Sequence, residues 1–94
     1  MYILTNKHHT VLYTGVTSNL VGRMLEHRGG VYPSSFTKPY NTDKLVYYSL
    51  YDTLEEAIDE EKRVKAGSRS AKLKLIEQQN PRWEDLWLKE VSRW

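Results

Sequence analysis

The chain has no cysteine, so it can build neither a disulfide framework nor a thiolate metal site. That agrees with a reducing compartment. No apolar run approaches the roughly 20 residues that span a bilayer. The N-terminus also lacks the basic-then-apolar pattern of a signal peptide. A cytoplasmic protein with no membrane partner is expected. Internal repeats and low-complexity stretches are absent too. With 94 residues there is room for one modest core, so a single monomeric domain over residues 1–94 is expected.

A net charge of only +2 does not by itself announce a polyanion partner, and its distribution is more informative. Asp52, Glu55, Glu56, Asp59, Glu60 and Glu61 cluster just before Lys62, Arg63, Lys65, Arg69, Lys72 and Lys74, and no acid interrupts residues 62–76. This basic segment either meets phosphates or is a solvated helical face that complements the acids before it.

Residues 2–5 and 10–14 are β-branched and aromatic, and Asn6-Lys7-His8-His9 separates them, which is a β-hairpin pattern. Adjacent His8 and His9 read as exposed turn residues rather than metal ligands. Gly15 ends the second strand, and Thr17 or Ser18 can cap a following helix. In that helix Leu20, Val21, Met24 and Leu25 share an apolar face, with Arg23 and His27 one turn apart on its flank. Gly22 costs a helix interior about 1 kcal/mol against alanine, so something is expected to approach the backbone there.

Gly29-Gly30 ends the helix. The long connection over residues 29–43 carries Phe36, Thr37, Lys38 and Tyr40, which could either bind a nucleic acid by stacking and phosphate contact or tuck onto the core. Residues 44–51, KLVYYSLY, read as a strand, central in its sheet. Thr53 can cap a helix over 54–66, and Gly67-Ser68 separates it from another over about 69–79. Asn80-Pro81 predicts a fourth helix over about 81–94, with Asn80 as its cap. Trp83, Leu86, Trp87, Val91 and Trp94 would form its apolar stripe.

One residue breaks the pattern. Leu54, Ala57, Ile58 and Val64 define the apolar stripe of the 54–66 helix, and Glu61 falls near its middle. A carboxylate there is costly unless paired or bound to a cation. Lys65 or Arg23 could pair with it, or it could hold a divalent metal.

The order of these features resembles the GIY-YIG nuclease superfamily, and in particular its small stand-alone bacterial members. Tyr2-Ile3-Leu4 resembles the first family motif, without its opening glycine, since Met1 directly precedes Tyr2. Tyr13-Thr14-Gly15 resembles the second. Arg23 with His27 matches the helical arginine and its companion, and Glu61 in AIDEEKRVK stands at the metal-binding glutamate. SSFTKPY and LIEQQNPRWEDLW resemble the mid-chain loop and the closing segment of the small bacterial members. The resemblance implies an α/β (α+β) domain: a small, mainly antiparallel three-stranded sheet flanked by helices.

It also implies a metal-dependent endonuclease that cleaves DNA, in repair or recombination. Branched or damaged DNA would be a natural substrate, RNA a further one, and a protein partner could supply specificity. Tyr2, Tyr13, Arg23, His27 and Glu61 would be the catalytic set, with Glu61 holding Mg²⁺ or Mn²⁺. Tyr2 would help to activate water, its pKa lowered by Arg23 and the metal. Lys38, Arg63, Lys65, Arg69 and Lys72 would bind nucleic acid. Two competing expectations are a non-catalytic nucleic-acid-binding module and a protein-interaction domain that uses the Trp-rich tail.

Overall fold

The computed structural model describes residues 1–29 and 44–93, with the backbone alone for residues 27–29. Its elements are β1 (Tyr2–Thr5), β2 (Leu12–Gly15), α1 (Leu20–Gly29), β3 (Lys44–Tyr48), α2 (Leu54–Ala66), α3 (Arg69–Gln79), α4 (Leu86–Lys89) and a 3₁₀ turn (Val91–Arg93). Among the described residues the three strands form one antiparallel sheet in the order β2-β1-β3, the expected mixed α/β architecture.

The centre of that sheet differs from expectation. β1, not β3, is the central strand, and all four of its residues are buried. β3 lies at an edge and ends at Tyr48, while Leu50 and Tyr51 beyond it are exposed. Its richness in Val, Leu and Tyr reflects two packed faces rather than two paired edges.

The strand pleat sends alternate residues of β1 to opposite faces. Tyr2 and Leu4 join Met24 of α1, Leu45, Leu86, Trp87 and Val91 on one face. Met1 and Ile3 join Val46, Val64 of α2 and Ile76 of α3 on the other. Both faces are therefore covered.

Local chemistry sets the helix starts. Thr53 caps α2 as expected, its Oγ1 accepting from Glu56 N at 3.2 Å. α1 is capped by Asn19 rather than by Thr17 or Ser18: Asn19 Oδ1 accepts from Gly22 N at 3.0 Å, and Thr17 Oγ1 accepts from Asn19 N. The Asn19 amide is also what approaches Gly22, where an added Cβ would lie 2.5 Å from its Nδ2. Leu25 and Leu54, expected on apolar faces, are exposed. They flank the buried stripes instead of lying in them.

The expected helix over 81–94 is replaced by a turn, the short α4 and the 3₁₀ turn. Asn80 is the cause. Its Nδ2 donates to Val46 O (3.2 Å) and Glu84 O (2.8 Å), and its Oδ1 accepts from Glu84 N (3.0 Å). The side chain thus ties the turn to β3 instead of capping a helix. Trp83 adopts φ 54°, and Asp85 starts α4 by accepting from Trp87 N at 3.0 Å. Leu86, Trp87 and Val91 still dock on the core, as the stripe anticipated. Trp94 lies outside the described residues.

Candidate active site

Antiparallel pairing sets Tyr2 opposite Gly15 and Leu4 opposite Tyr13, so Tyr2, Tyr13 and Gly15 share one face of the sheet. The tyrosine rings are tilted at 40° with centroids 6.4 Å apart. Tyr2 lies across Gly15: a Cβ there would stand 2.5 Å from its hydroxyl oxygen and 2.6 Å from Cζ. Glycine is required at this position because the Tyr2 ring occupies the space of a side chain.

Arg23 faces this pair from α1, and its Nε lies 3.7 Å from Glu26 Oε2. Glu26 is a neighbour that the sequence reasoning missed, although its i+3 spacing from Arg23 is a readable signal. Glu61 is buried at 8% exposure on α2, and its Oε1 is 3.0 Å from Lys65 Nζ. Of the two ion pairs open to it, the one with Lys65 forms.

The Tyr2 hydroxyl is the electrostatic meeting point of the set. Burial pushes its pKa well above the ordinary tyrosine value, Tyr13 adds to the rise, and Glu26 and Glu61 do so more weakly. Arg23 pulls the other way but is outweighed. In the protein alone, without the metal that the expected lowering also invoked, the Tyr2 hydroxyl is held protonated, because desolvation of a phenolate exceeds the help one half-exposed guanidinium gives. Tyr13, Arg23 and Glu61, from β2, α1 and α2, thus all act on the Tyr2 hydroxyl of β1, Glu61 the most weakly.

Of the other expected residues, two lie wholly or partly outside the described residues. His27 lies one turn after Arg23 in α1, its side chain outside the described residues, as is the whole of Lys38. Arg63 forks onto Glu60, and Lys65 is spent on Glu61. Arg69 Nη2 donates to His9 O at 3.0 Å, and Lys72 is half-buried on α3. His9 stacks on Trp83 with ring centroids 4.5 Å apart.

For a cation, the donor at this site is the Glu61 carboxylate; no cluster of three His, Asp or Glu side chains occurs among the described residues. A single carboxylate suits Mg²⁺, which keeps several waters and takes further oxygens from a phosphate. Beside the site a cleft of about 400 Å³ opens between the start of α1 and the β3–α2 connection, with Tyr2 in its wall. No helix of the described residues is long and apolar enough to cross a membrane.

No solved structure matches this chain significantly. Among proteins of known sequence, it is 41% identical over 81 residues to a UPF0213 protein of Syntrophus aciditrophicus, covering 86% of this chain and 91% of that one. A UPF0213 protein of Clostridium perfringens is 34% identical over 92 residues, 98% and 96% of the two chains. One of Staphylococcus haemolyticus is 36% identical over 78 residues, 83% and 93%. The family model described as the GIY-YIG catalytic domain matches residues 1–74, a span that holds both tyrosine motifs, Arg23 and Glu61. With that match and bacterial relatives that align over most of their own length, the protein belongs to the GIY-YIG family, within the nuclease superfamily that this domain defines.

Proposed function

We propose that this protein hydrolyses phosphodiester bonds in DNA in a metal-dependent reaction. The observation that carries the reading is the convergence of Tyr2, Tyr13, Arg23 and Glu61 from β1, β2, α1 and α2. Hydrolysis adds water across a P–O bond: the hydroxyl stays on phosphorus, and the departing oxygen takes a proton. Negative charge grows on the phosphoryl oxygens meanwhile. Arg23, a half-exposed guanidinium 3.7 Å from Glu26, compensates that charge.

Tyr2, protonated and buried, orients the attacking water or a phosphoryl oxygen by donating its hydroxyl hydrogen. Tyr13 and His27 position the phosphate or carry the proton. Glu61, whose Oε1 pairs with Lys65, would hold Mg²⁺ or Mn²⁺. When bound, the ion supplies charge stabilisation for the transition state and leaving oxygen. Branched or damaged DNA is the substrate class to test first, and repair or recombination is the setting it would serve.

Purified protein with Mg²⁺ or Mn²⁺, offered single-stranded, duplex and branched DNA and RNA, should cleave a subset of them. Arg23→Ala and Glu61→Ala should each reduce the rate by about 10²-fold or more. Cleavage that survives both substitutions would sink the mechanism. The competing reading, a binding module without turnover, draws on the Lys65 contact and on Tyr2 being only 1% exposed. Binding that falls steeply with salt, with no cleavage under any metal, would favour it.

A further inference from the structure

At the end of the sheet away from Tyr2, four side chains from four parts of the chain meet. His9, in the β1–β2 turn, stacks on Trp83 at 4.5 Å with the rings 24° apart. Its Nε2 lies 3.1 Å from Lys44 Nζ on β3. With Lys44 charged, the neutral ring is the acceptor. Arg69, at the start of α3, donates from Nη2 to the His9 carbonyl.

Two features make this corner unusual. His9 (φ 57°) and Trp83 (φ 54°) are the two non-glycine residues with positive φ among the described residues, and they are the two partners of one stack. Left-handed backbone is unfavourable for L residues and persists where the surroundings over-determine it, commonly at ligand clamps. The corner is also cationic. Among the described residues no ion pair engages Lys44 or Arg69, whereas Arg63 and Lys65 are each taken up by a glutamate. Burial first, and then the neighbouring Lys44, hold the His9 imidazole below its ordinary pKa. Cations held beside an aromatic stack fit a phosphate of a nucleic-acid strand.

We propose that the His9–Lys44–Arg69–Trp83 corner grips a backbone phosphate of the bound nucleic acid. Lys44 pairs with Thr5, three residues along β1 from Tyr2. At about 3.3 Å per residue that is about 10 Å. The gripped phosphate therefore lies beside the bond to be cleaved, not at it. This placement rests on the nuclease reading; the grip itself does not. Lys44 and Arg69 make the phosphate contacts, and His9 and Trp83 hold them in position.

Fluorescence anisotropy of labelled single-stranded and duplex oligonucleotides in EDTA tests it, since chelation stops metal-dependent turnover. Affinity is measured between about 50 and 200 mM salt, the range in which counterion release is steep. Lys44→Gln and Arg69→Gln should each lower the log–log salt slope by about one, and the double variant by about two. Lys44→Arg should keep the slope, and Lys62→Gln, on the exposed side of α2, should leave it unchanged. Arg69 is exposed, so its variant decides the question even if Lys44→Gln folds poorly.

Unchanged slopes in the glutamine variants, or an equal loss in Lys62→Gln, would overturn the proposal. The two readings fail separately. A lost slope in a protein that never cleaves refutes the reaction and keeps the grip; robust cleavage with unchanged slopes does the reverse.

Discussion

Gly15 and Tyr2 constrain each other. Tyr2 is 1% exposed, so its ring cannot swing away from a Cβ placed 2.5 Å from its hydroxyl. Gly15→Ala should cost about 1–3 kcal/mol in urea unfolding and reduce any cleavage by displacing the phenol. Tyr2→Ala in the same chain removes the clash, so the two costs should not add. Tyr48 gives a second prediction. Its hydroxyl donates to Glu90 Oε1 at 2.5 Å, and burial together with that contact pushes its pKa up to about 12. A tyrosine raised in the folded state stabilises fully below its unfolded value of about 10. That contribution disappears as pH climbs toward the folded value. The melting temperature should therefore fall between about pH 10 and 12, and Tyr48→Phe should flatten that fall. Tyr2, raised by burial, acts in the same direction. At this scale the sequence was readable where a residue broke a pattern: Glu61 on an apolar stripe is buried and paired. It was not readable where the decisive quantity was desolvation, as for Tyr2, whose depth depends on helices far along the chain.

Most elements follow from local signals, and the departures have one kind of cause. The hairpin, α1, α2, α3 and β3 all form near their expected positions because turn residues, caps and periodicity agree there. The Asn80-Pro81 signal is a sound helix start in isolation, yet β3 captures the Asn80 side chain through Val46 O. β1, with four residues, is too short for its composition to announce a central position, which comes from pairing on both edges. Asn80 is thus a joint between elements. It is 4% exposed and makes three hydrogen bonds. Asn80→Ala should leave Val46 O and the Glu84 backbone unsatisfied and cost about 2–4 kcal/mol, measured as a lowered urea midpoint. A change below about 0.5 kcal/mol would mean that the turn is held by other contacts.

For the molecule as a whole, the sheet is sandwiched: α1, α4 and the 3₁₀ turn cover one face, α2 and α3 the other. The tryptophan-bearing tail belongs to this sandwich. Trp87 is 8% exposed against Tyr2, Leu4 and Leu45, so its stripe is consumed within the chain. Trp87→Ala should cost about 3–5 kcal/mol without changing the mass seen in sedimentation. A wild-type oligomer that this substitution dissociates would instead support a tail that binds partners. Stripe and candidate site alike stand in the sequence as spaced residues, but what each spacing faces is decided only by the assembled sheet.

The position of β1 at the centre also orders events in time. β1 and β2 are joined by a short turn, and such hairpins close within microseconds. The other edge of β1 waits for β3, and the neighbouring Met1–Ser49 bond closes a separation of 48 residues. Long closures of this kind slow folding more than they weaken the folded state. A half-folded chain that holds only the hairpin and α1 would carry Tyr2, Tyr13 and Arg23 but no carboxylate from α2. The full chemical set thus depends on the long closure and is not complete in the hairpin and its first helix alone.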